Sequence, residues 1–382
     1  MPADPRVDWD PRSPAVQDDQ IAAYDDMRRR CPVAHSRYGN WTVFRHADVV
    51  RILDNPATFS NRVSRHLSVP NGMDPPEHTP YRAVNDRYFT PERMRAFEPH
   101  CRDVARGLVE ELGAGEIEIM SALAEPFANR IQCRFMGWPE TLHEPLRRWA
   151  RKNREASLAL DREAMAAVAI EFDTYIREQL AERRVAPTHD VTSELLAEQV
   201  DGRTLSDEEL VSLIRNWTVG ELSTIAACVG IIVFFLASRP GVQSHLRAEP
   251  DRIRAACDEI LRIHAPLIAN RRRTTCDVVI ADREIPADER IMVLWASANR
   301  DERVFGDPDE FRLDRDPGVN LLYGRGIHAC PGAPLARLEL TVLVEELLAA
   351  MTSVTAPTAV RPAYAAYPAG GFTKVPVSLL RR

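Results

Sequence analysis

The chain has 382 residues, of which 45% are hydrophobic and 27% are charged, and its formal net charge is -7. This composition is typical of a soluble globular protein and argues against a general nucleic-acid binder. The seven cysteines are scattered singly, which is consistent with a reducing compartment. We therefore expect a cytoplasmic protein with a single domain over residues 1–382 and without a membrane partner, since its longest apolar run, residues 225–237, is too short to span a bilayer.

The N-terminal part of the chain predicts a hairpin followed by a loop. Strand-forming residues from Tyr38 to Arg45 flank a Gly39-Asn40 turn, and a helix is expected to begin at His46. Residues 60–72 have no clear period and predict a loop. Helical periodicity then dominates residues 91–195, which we expect to form helices of an outer shell.

A pair of basic side chains follows the loop. Pro75 and Pro76 end it, and His78 and Arg82 stand four residues apart, which places them on one face of a helix. Two donors on one face suit a bound carboxylate. The alternative is an exposed basic helix face.

The longest predicted helix covers residues 206–238. Its start is marked by the capping box Ser206-Asp-Glu-Glu209, no proline interrupts it, and a length of roughly 50 Å lets it cross a whole domain. Its second half is apolar all round, which indicates a central position.

Arg215 lies on this helix, four residues before Val219 and on the same face. The spacing predicts that both face a pocket. Because a buried guanidinium is costly without a partner, we expect Arg215 to bind an anionic or phenolic substrate group or to pair with an acid such as Glu221 or Glu209.

Cys330 is the strongest candidate metal ligand. It lies just before a helix predicted from Pro334 onward, where unpaired N–H groups and the helix dipole favour a thiolate. Three glycines remove side chains on its flanks, which lets something large and flat, such as haem, lie against the backbone: Gly324, Gly326 and Gly332. A small buried cysteine is the alternative, whereas zinc lacks a second Cys/His pair nearby.

The frame around this cysteine resembles a known signature. Tyr323-Gly-x-Gly-x-His-x-Cys330-x-Gly332 is similar to the haem-binding sequence Phe-Gly-x-Gly-x-His-x-Cys-x-Gly of the cytochrome P450 family, with Tyr323 in place of the usual Phe. Further stretches resemble family motifs in the family's order, from about residue 41 to residue 377: Asp74-Pro-Pro-x-His78-x-x-x-Arg82, Gly220 with the residues after it, Glu259-x-x-Arg262 and the strand that contains Arg272.

This resemblance implies a fold, a cofactor and an activity. The implied fold is mainly α with a smaller β region, a triangular prism in which haem b lies between the long helix and the Cys330 loop. The implied activity is that of a monooxygenase, which inserts one oxygen atom from O2 into a small organic substrate. A ferredoxin and an NAD(P)H-dependent ferredoxin reductase are the implied electron donors.

The resemblance also implies roles for particular residues. Cys330 is the expected iron ligand, and Glu259 is expected to be held by Arg262 and Arg315 as a structural cluster. The residues expected to bind haem are His78, Arg82, Arg272 (or its neighbour Arg271), Tyr323, Gly324 and His328. The residues expected around the substrate are Arg65, His66, Arg215, Val219, Leu267, Ile268 and Phe372.

One stretch departs from the family pattern. After Gly220, Leu222 stands where an acid is usual and Ser223 where a threonine is usual, and these two groups normally deliver protons to iron-bound dioxygen. Glu221 and Thr224 are each one position away, or about 100° around the helix. We expect Ser223, Thr224 or Glu221 to act in catalysis, with Glu221 reaching the site only if the helix is bulged.

The departure leaves several alternatives open. One alternative is that water replaces the acid, and another is that the enzyme is peroxide-driven, since hydrogen peroxide arrives with its protons. Beyond oxidation chemistry, a non-catalytic haem-binding sensor and a cysteine hydrolase that uses Cys330 with His328 are the other hypotheses. The substrate is left open among aromatic, terpenoid, fatty-acid and secondary-metabolite compounds, with a slight preference for an acidic or phenolic one.

Overall fold

Helices make up most of the structure, a computed structural model that describes residues 8–38, 40–357 and 361–382. The α-helices are α1 (Pro14–Asp18), α2 (Gln20–Arg30), α3 (His46–Leu53), α4 (His78–Arg87), α5 (Pro91–Glu111), α6 (Glu125–Met136), α7 (His143–Ala159), α8 (Arg162–Val185), α9 (Val191–Ala197), α10 (Asp207–Gly220), α11 (Ala226–Ala237), α12 (Pro240–Ala248), α13 (Ile253–His264), α14 (Trp295–Ala298), α15 (Glu302–Phe305) and α16 (Ala333–Ala350). The predicted fold class, mainly α with a smaller β region, is confirmed.

The strands are short, with two to six residues each. They are β1 (Val33–Ser36), β2 (Asn40–Val43), β3 (Phe59–Ser60), β4 (Gly115–Glu118), β5 (Gln199–Val200), β6 (Arg203–Thr204), β7 (Ala269–Thr274), β8 (Val278–Ile280), β9 (Arg283–Ile285), β10 (Arg290–Leu294), β11 (Met351–Thr355), β12 (Ala363–Tyr364), β13 (Phe372–Lys374) and β14 (Pro376–Arg381). One sheet has the order β1-β2-β10-β7-β3 and a second has the order β11-β14-β4; three further pairs are β12-β13, β5-β6 and β8-β9.

The predicted N-terminal hairpin is present as β1 and β2, although Gly39 of its turn lies outside the described residues. Residues 60–72 are largely irregular after β3, as expected. Residues 278–294 are divided between two sheets. Strand β8 pairs with β9, whereas β10 joins β2 and β7 in the larger sheet.

The long helix predicted over residues 206–238 is present, and its capping box forms as expected between Ser206 and Glu209. It is not α-helical throughout, because α10 and α11 are joined by a π-helical turn at Glu221–Ile225. By length and composition Asp207–Ala237 could cross a membrane, contrary to the expectation from the apolar run alone. Burial identifies it instead as a core helix, since 61% of its most apolar window lies inside the fold.

A cluster of charged side chains fixes the chain that leads to the Cys330 loop. Arg262 donates to both carboxylate oxygens of Glu259 at 2.7 and 2.9 Å, and Arg315 donates to Glu259 Oε1 at 2.9 Å. Arg262 also donates to the carbonyl of Asn299 at 2.7 Å. Glu259 and Arg262 are buried, and their charges are matched, so the predicted structural cluster is confirmed.

Candidate active site

A cavity of about 470 Å³ separates the long helix from the Cys330 loop. Its floor contains Cys330 and the glycines beside it, and helix α16 contributes Leu335 and Ala336. Its roof is formed by the helix residues Asn216, Trp217, Gly220, Glu221, Thr224, Ile225 and Cys228. Apolar walls with a few polar groups that point inward are typical of a small-molecule or cofactor site.

The Cys330 loop is held by its own backbone. The N–H of Cys330 donates to the carbonyl of Tyr323 at 2.8 Å, and Gly324 and Gly326 adopt φ values of 70° and 71°, which favour glycine. Helix α16 begins three residues after Cys330, as the sequence predicts. The sulfur is exposed to the cavity, while protein surrounds it on the other sides.

The charge state of Cys330 differs from the expectation. The N–H groups of Gly332 and Ala333 favour the thiolate, but burial has the larger effect and raises the pKa of the Cys330 thiol. The helix N-terminus alone therefore does not keep this residue ionised. A bound metal ion would, because coordination removes the thiol proton outright.

Beside the loop lies a group of basic side chains, and the carboxyl group of Asp74 is close enough to act on three of them. The rings of His78 and His328 meet edge to face at 4.5 Å, and the Nε2 atom of each is buried with no hydrogen-bond partner among the described residues. Burial and the neighbouring His78 and Arg272 lower the pKa of His328 to about 3. Arg272 is only 4% exposed, and burial lowers its pKa to about 10.

This group fits a cofactor that bears carboxylates. Among the described residues the Arg272 guanidinium forms no ion pair and donates to the carbonyl of Arg271 at 2.7 Å. Such a buried cation and two unpaired imidazole nitrogens are costly unless an anion satisfies them. Arg82 lies next to them and donates to the carbonyls of Ile327 and Ala329 at 3.0 and 2.6 Å, which ties helix α4 to the Cys330 loop. Together with Cys330, these residues match the donor set that haem b requires: one thiolate and a cationic pocket for two propionates.

Tyr323, which stands where Phe is usual, is buried beneath the loop. Arg337 lies over its ring at 4.4 Å, and the same guanidinium donates to Asp258 at 2.9 Å. Burial and Asp258 raise the pKa of Tyr323. Its hydroxyl therefore remains neutral, with the carboxyl group of Asp258 beside it as a hydrogen-bond acceptor.

The π-helical turn changes which helix residues face the cavity. Glu221 and Thr224 line it, whereas Leu222 is buried in the core and Ser223 donates its hydroxyl to the carbonyl of Val219 at 2.7 Å. The expectation that Ser223 supplies the alcohol is therefore not supported. A π turn holds one more residue than an α turn, which moves the acid and the alcohol each by one position. The helix bulge that lets Glu221 reach the site is therefore present.

Arg215 pairs with an acid, as one of the two alternatives predicted, but Arg215 and Val219 do not face the cavity as expected. Arg215 Nε donates to Asp173 Oδ1 at 2.9 Å, so it pairs with an acid of helix α8 and not with Glu221, Glu209 or a substrate. Neither Arg215 nor Val219 lines the cavity. The helix face that does so passes through residues 217, 221, 224 and 228, and position 215 is turned away from it.

The remaining predicted pocket residues divide into two groups. His66 and Leu267 line the cavity. Arg65 is exposed outside it, and Ile268 and Phe372 border a second cavity of about 330 Å³. Phe372 packs on Phe234 and Tyr364, because pairing of β13 with β12 turns it away from the first cavity. Ala369 forms an isolated antiparallel bridge with Leu267, which lines the first cavity.

Sequence reasoning missed several residues of the site. Asn216 and Trp217 lie one turn before Glu221, so counting back by four along the helix would have found them. Glu339 of helix α16 is fully buried, and its only signal is an acid between Leu338 and Leu340. Phe89 comes from the turn after helix α4, whereas Gln132 and Phe135 come from helix α6, and none of the three carries a local sequence signal.

A cysteine at the base of this cavity that can bind a metal, with a cationic pocket beside it, is the arrangement of the haem-thiolate proteins. Residues 157–364 match the family model described as Cytochrome P450. Over 345 residues the chain is 36% identical to erythromycin C-12 hydroxylase of Saccharopolyspora erythraea, with 86% of each protein covered. Cyclomarin C epoxidase of Salinispora arenicola is 30% identical over 340 residues, which cover 84% of this chain and 86% of the epoxidase.

Comparison with solved structures gives the same family. A mutant of P450 EryK in complex with erythromycin B has a TM-score of 0.87 and 33% identity, and the match covers 94% of this chain and 96% of that one. This chain belongs to the cytochrome P450 family, among its bacterial-type members. It is a haem b monooxygenase that acts on a small organic substrate with electrons from a redox partner.

Proposed function

We propose that this enzyme hydroxylates or epoxidises an oxygenated natural product bound over Cys330, with a separate ferredoxin and its NAD(P)H-dependent reductase as electron donors. The observation that carries the proposal is the cysteine at the base of a cavity whose roof offers an acid and a hydroxyl, Glu221 and Thr224. We further propose that the chain works as one cytoplasmic domain.

Separate residues would bind the cofactor and position protons. Cys330 binds the iron, and the propionates are held by His78, His328 and Arg272, with Arg82 bracing the loop. When bound, haem b supplies the iron that activates dioxygen. Glu221 holds a proton at its carboxyl group near neutral pH, because burial raises its pKa to about 7. Thr224 Oγ1 bonds to no described residue and is free to position a proton in the cavity.

The walls of the cavity favour a substrate with hydrogen-bonding groups. Arg271 and Asn270 are exposed on its wall, and Arg271 forms no ion pair among the residues that the structure describes. Arg271, rather than Arg215, would therefore bind an acidic or phenolic group. Relatives named as an erythromycin hydroxylase, a cyclomarin epoxidase and a mycinamicin hydroxylase/epoxidase support a large, oxygen-rich substrate.

Reduction of the purified protein under carbon monoxide tests the ligation. We expect the absorption band of thiolate-bound haem, with one haem per chain. A colourless protein or an imidazole-type band would overturn the proposal. Titration with macrolides, cyclic peptides, steroids, fatty acids and simple phenols, followed by the change of spin state, would then identify the substrate class.

Peroxide-driven oxidation is a second candidate function. It is favoured by the apolar Leu222 at the usual acid position and by the hydroxyl of Ser223, which is bonded to the helix backbone. Turnover with hydrogen peroxide would be compared with turnover supported by ferredoxin, reductase and NAD(P)H. Efficient oxidation by peroxide alone would establish the second candidate.

A further inference from the structure

The second cavity, of about 330 Å³, shares no lining residue with the first among the residues that the structure describes. It is bounded by helices α1 and α2, by helices α11 and α13, and by the hairpin of β12 and β13. Much of its lining is apolar, and Phe372 and the exposed Tyr364 form an aromatic pair at 4.9 Å. Its volume lies at the lower end of the range for small-molecule sites. None of the residues assigned above to the cofactor or to proton delivery lines it.

One layer of chain separates the two cavities. Leu267 lines the first cavity, whereas the next residue, Ile268, is 3% exposed and lines the second. The turn before β13 closes against this layer, since Ala369 bridges to Leu267 and a Cβ atom on Gly370 would lie 2.5 Å from the carbonyl oxygen of Ala265. A molecule in the second cavity would therefore contact the back of the wall that faces the first.

His264, at the end of helix α13, offers a polar group to the second cavity. Its ring meets that of Phe235 edge to face at 5.8 Å, and neither ring nitrogen has a hydrogen-bond partner in the described part of the chain. Neither nitrogen is fully enclosed by protein, so a ligand can reach the ring. Burial and the nearby Arg300 lower the pKa of His264 to about 4, so at neutral pH the imidazole is uncharged and has one N–H donor and one acceptor.

The charged groups around His264 are mostly cationic. The guanidinium groups of Arg300, Arg239 and Arg262 lower its pKa, whereas one carboxylate, that of Asp309, raises it. Arg300 is paired with Asp309, and Arg262 belongs to the charge-matched cluster described above. Arg239 is exposed and forms no ion pair with any described residue. It is therefore the cation that remains for a ligand.

The position of Arg239 suits an amphipathic ligand. Its guanidinium lies over the ring of Phe235, 3.9 Å from the centroid, which holds the charge beside an apolar surface. Two acids, Asp18 and Asp19, also line the cavity from the N-terminal side. Both are exposed, and Asp19 accepts the N–H of Ala22 at 3.0 Å as the cap of α2, so water screens their charges. One free cation, a neutral imidazole and apolar walls together suit a carboxylate attached to a hydrocarbon.

We propose that the second cavity binds a small carboxylic acid with an apolar body. Arg239 and the imidazole N–H of His264 hold its carboxylate, and its hydrocarbon part contacts Ile21, Ile231 and Ile268. No covalent bond forms or breaks. Because a bound acid contacts Ile268 in the shared wall, it changes the affinity of the first cavity for its own ligand, and the reverse effect has the same size. The site is separate from the iron ligand and goes beyond the proposed function.

Calorimetric titration of the holoenzyme with octanoate tests the site. The first cavity is filled beforehand with a large azole, whose nitrogen binds the iron and whose body keeps octanoate out of that cavity. We expect one octanoate to bind per chain, and octanol, which lacks the carboxylate, to bind about tenfold more weakly. Absence of binding, or equal affinities for the acid and the alcohol, would overturn the proposal.

Two variants locate the bound acid. Arg239→Met keeps an apolar side chain over Phe235 but removes the charge, so it should weaken octanoate binding by about tenfold and leave octanol binding unchanged. Ile21→Trp fills the cavity from helix α2 and should abolish octanoate binding. Arg148→Met, at an exposed arginine of helix α7 that lines neither cavity, is the matched control and should match the wild type. Wild-type affinity for octanoate in Arg239→Met and Ile21→Trp would overturn the proposal.

The affinity for the azole, followed by the shift of the haem absorption band, tests the coupling between the cavities. Saturating octanoate should change the azole dissociation constant of the wild type by about fivefold and leave that of Ile21→Trp unchanged. An effect of octanoate that persists in Ile21→Trp would mean that the acid competes inside the first cavity. That outcome, or the absence of any effect in the wild type, would overturn the proposal.

Discussion

The floor and the roof of the cavity differ in how closely they follow the family pattern. The floor has the cysteine and the glycines of the expected sequence, and the expected Glu259 cluster fixes the chain that leads to it. The roof has Leu222 and Ser223 at the usual acid and alcohol positions, and a π-helical turn that presents Glu221 and Thr224 instead. A metal ligand must place one atom at one point, whereas a proton can come from any acid within hydrogen-bonding reach. The floor therefore allows far less variation than the roof.

The largest expected effect comes from breaking the floor. Cys330→His leaves a residue that can bind iron but removes the electron donation of a thiolate. We expect haem to remain bound, the carbon monoxide band to become imidazole-like and ferredoxin-supported product formation to fall to the detection limit. Cys276→Ser, at an exposed cysteine, is the control and should match the wild type. A thiolate-type band in Cys330→His would contradict the assigned ligand.

A smaller loss is expected at the roof, and it separates the two hydroxyls. Thr224→Val should reduce product formed per NAD(P)H by roughly 10²-fold, because a positioned proton donor typically contributes that much. Ser223→Ala should change it less than about twofold, since that hydroxyl bonds to Val219 outside the cavity. If Ser223→Ala showed the larger loss, the register given by the π turn would be wrong.

The ionisation of Glu221 in the roof should also affect how the free energy of unfolding depends on pH. Burial raises the pKa of Glu221 from 4.5 to about 7, so the folded protein binds more protons than the unfolded chain within this window. The contribution of Glu221 is therefore fully present below pH 4.5 and is lost as the pH rises through about 7. Glu221→Gln should remove this loss. Relative to the wild type, its free energy of unfolding should therefore be higher at pH 8 than at pH 5 by an amount on the order of 1–2 kcal/mol. Denaturant unfolding at both pH values measures it, and an equal effect at both would contradict the assignment.

The smallest effect is expected on the back of the same helix. Arg215 and Asp173 form a partly exposed ion pair, with 29% and 31% of the side chains accessible. Arg215→Ala should cost about 1 kcal/mol or less and leave the substrate dissociation constant unchanged. Asp173→Ala is the matched variant and should behave alike. If Arg215→Ala bound substrate tenfold more weakly while Asp173→Ala did not, Arg215 would have to be assigned to the substrate pocket.

The sequence predicts the floor better than the roof for a physical reason. Cys330, His328 and Tyr323 are close in the chain, and His78 and Arg82 share one turn of helix, so local spacing determines which groups meet. The roof depends on a π turn, and one extra residue in a turn changes the facing of Glu221 and Ser223 without any mark in the sequence. The predicted orientation of Arg215 is wrong for a related reason, because its partner, Asp173, lies on another helix.

Residues brought together from distant helices were also beyond sequence reasoning. The meeting of Glu221 with Glu339 depends on the packing of helix α16 beneath the π turn. Phe372 was expected around the substrate, but the pairing of its strand with the strand of Tyr364 directs it away from the first cavity. In both cases the tertiary arrangement decides which chemistry a side chain can serve.

The Glu259 cluster has a consequence for how the holoenzyme is made. Its bonds join Glu259, Arg262 and Arg315 to one another and to the carbonyls of Asn299 and Phe305, so every partner is supplied by the polypeptide. The scaffold for the iron ligand can thus mature on the newly made chain before any porphyrin arrives. Insertion of the pigment would then be a late, bimolecular event in biogenesis, with a rate proportional to porphyrin concentration.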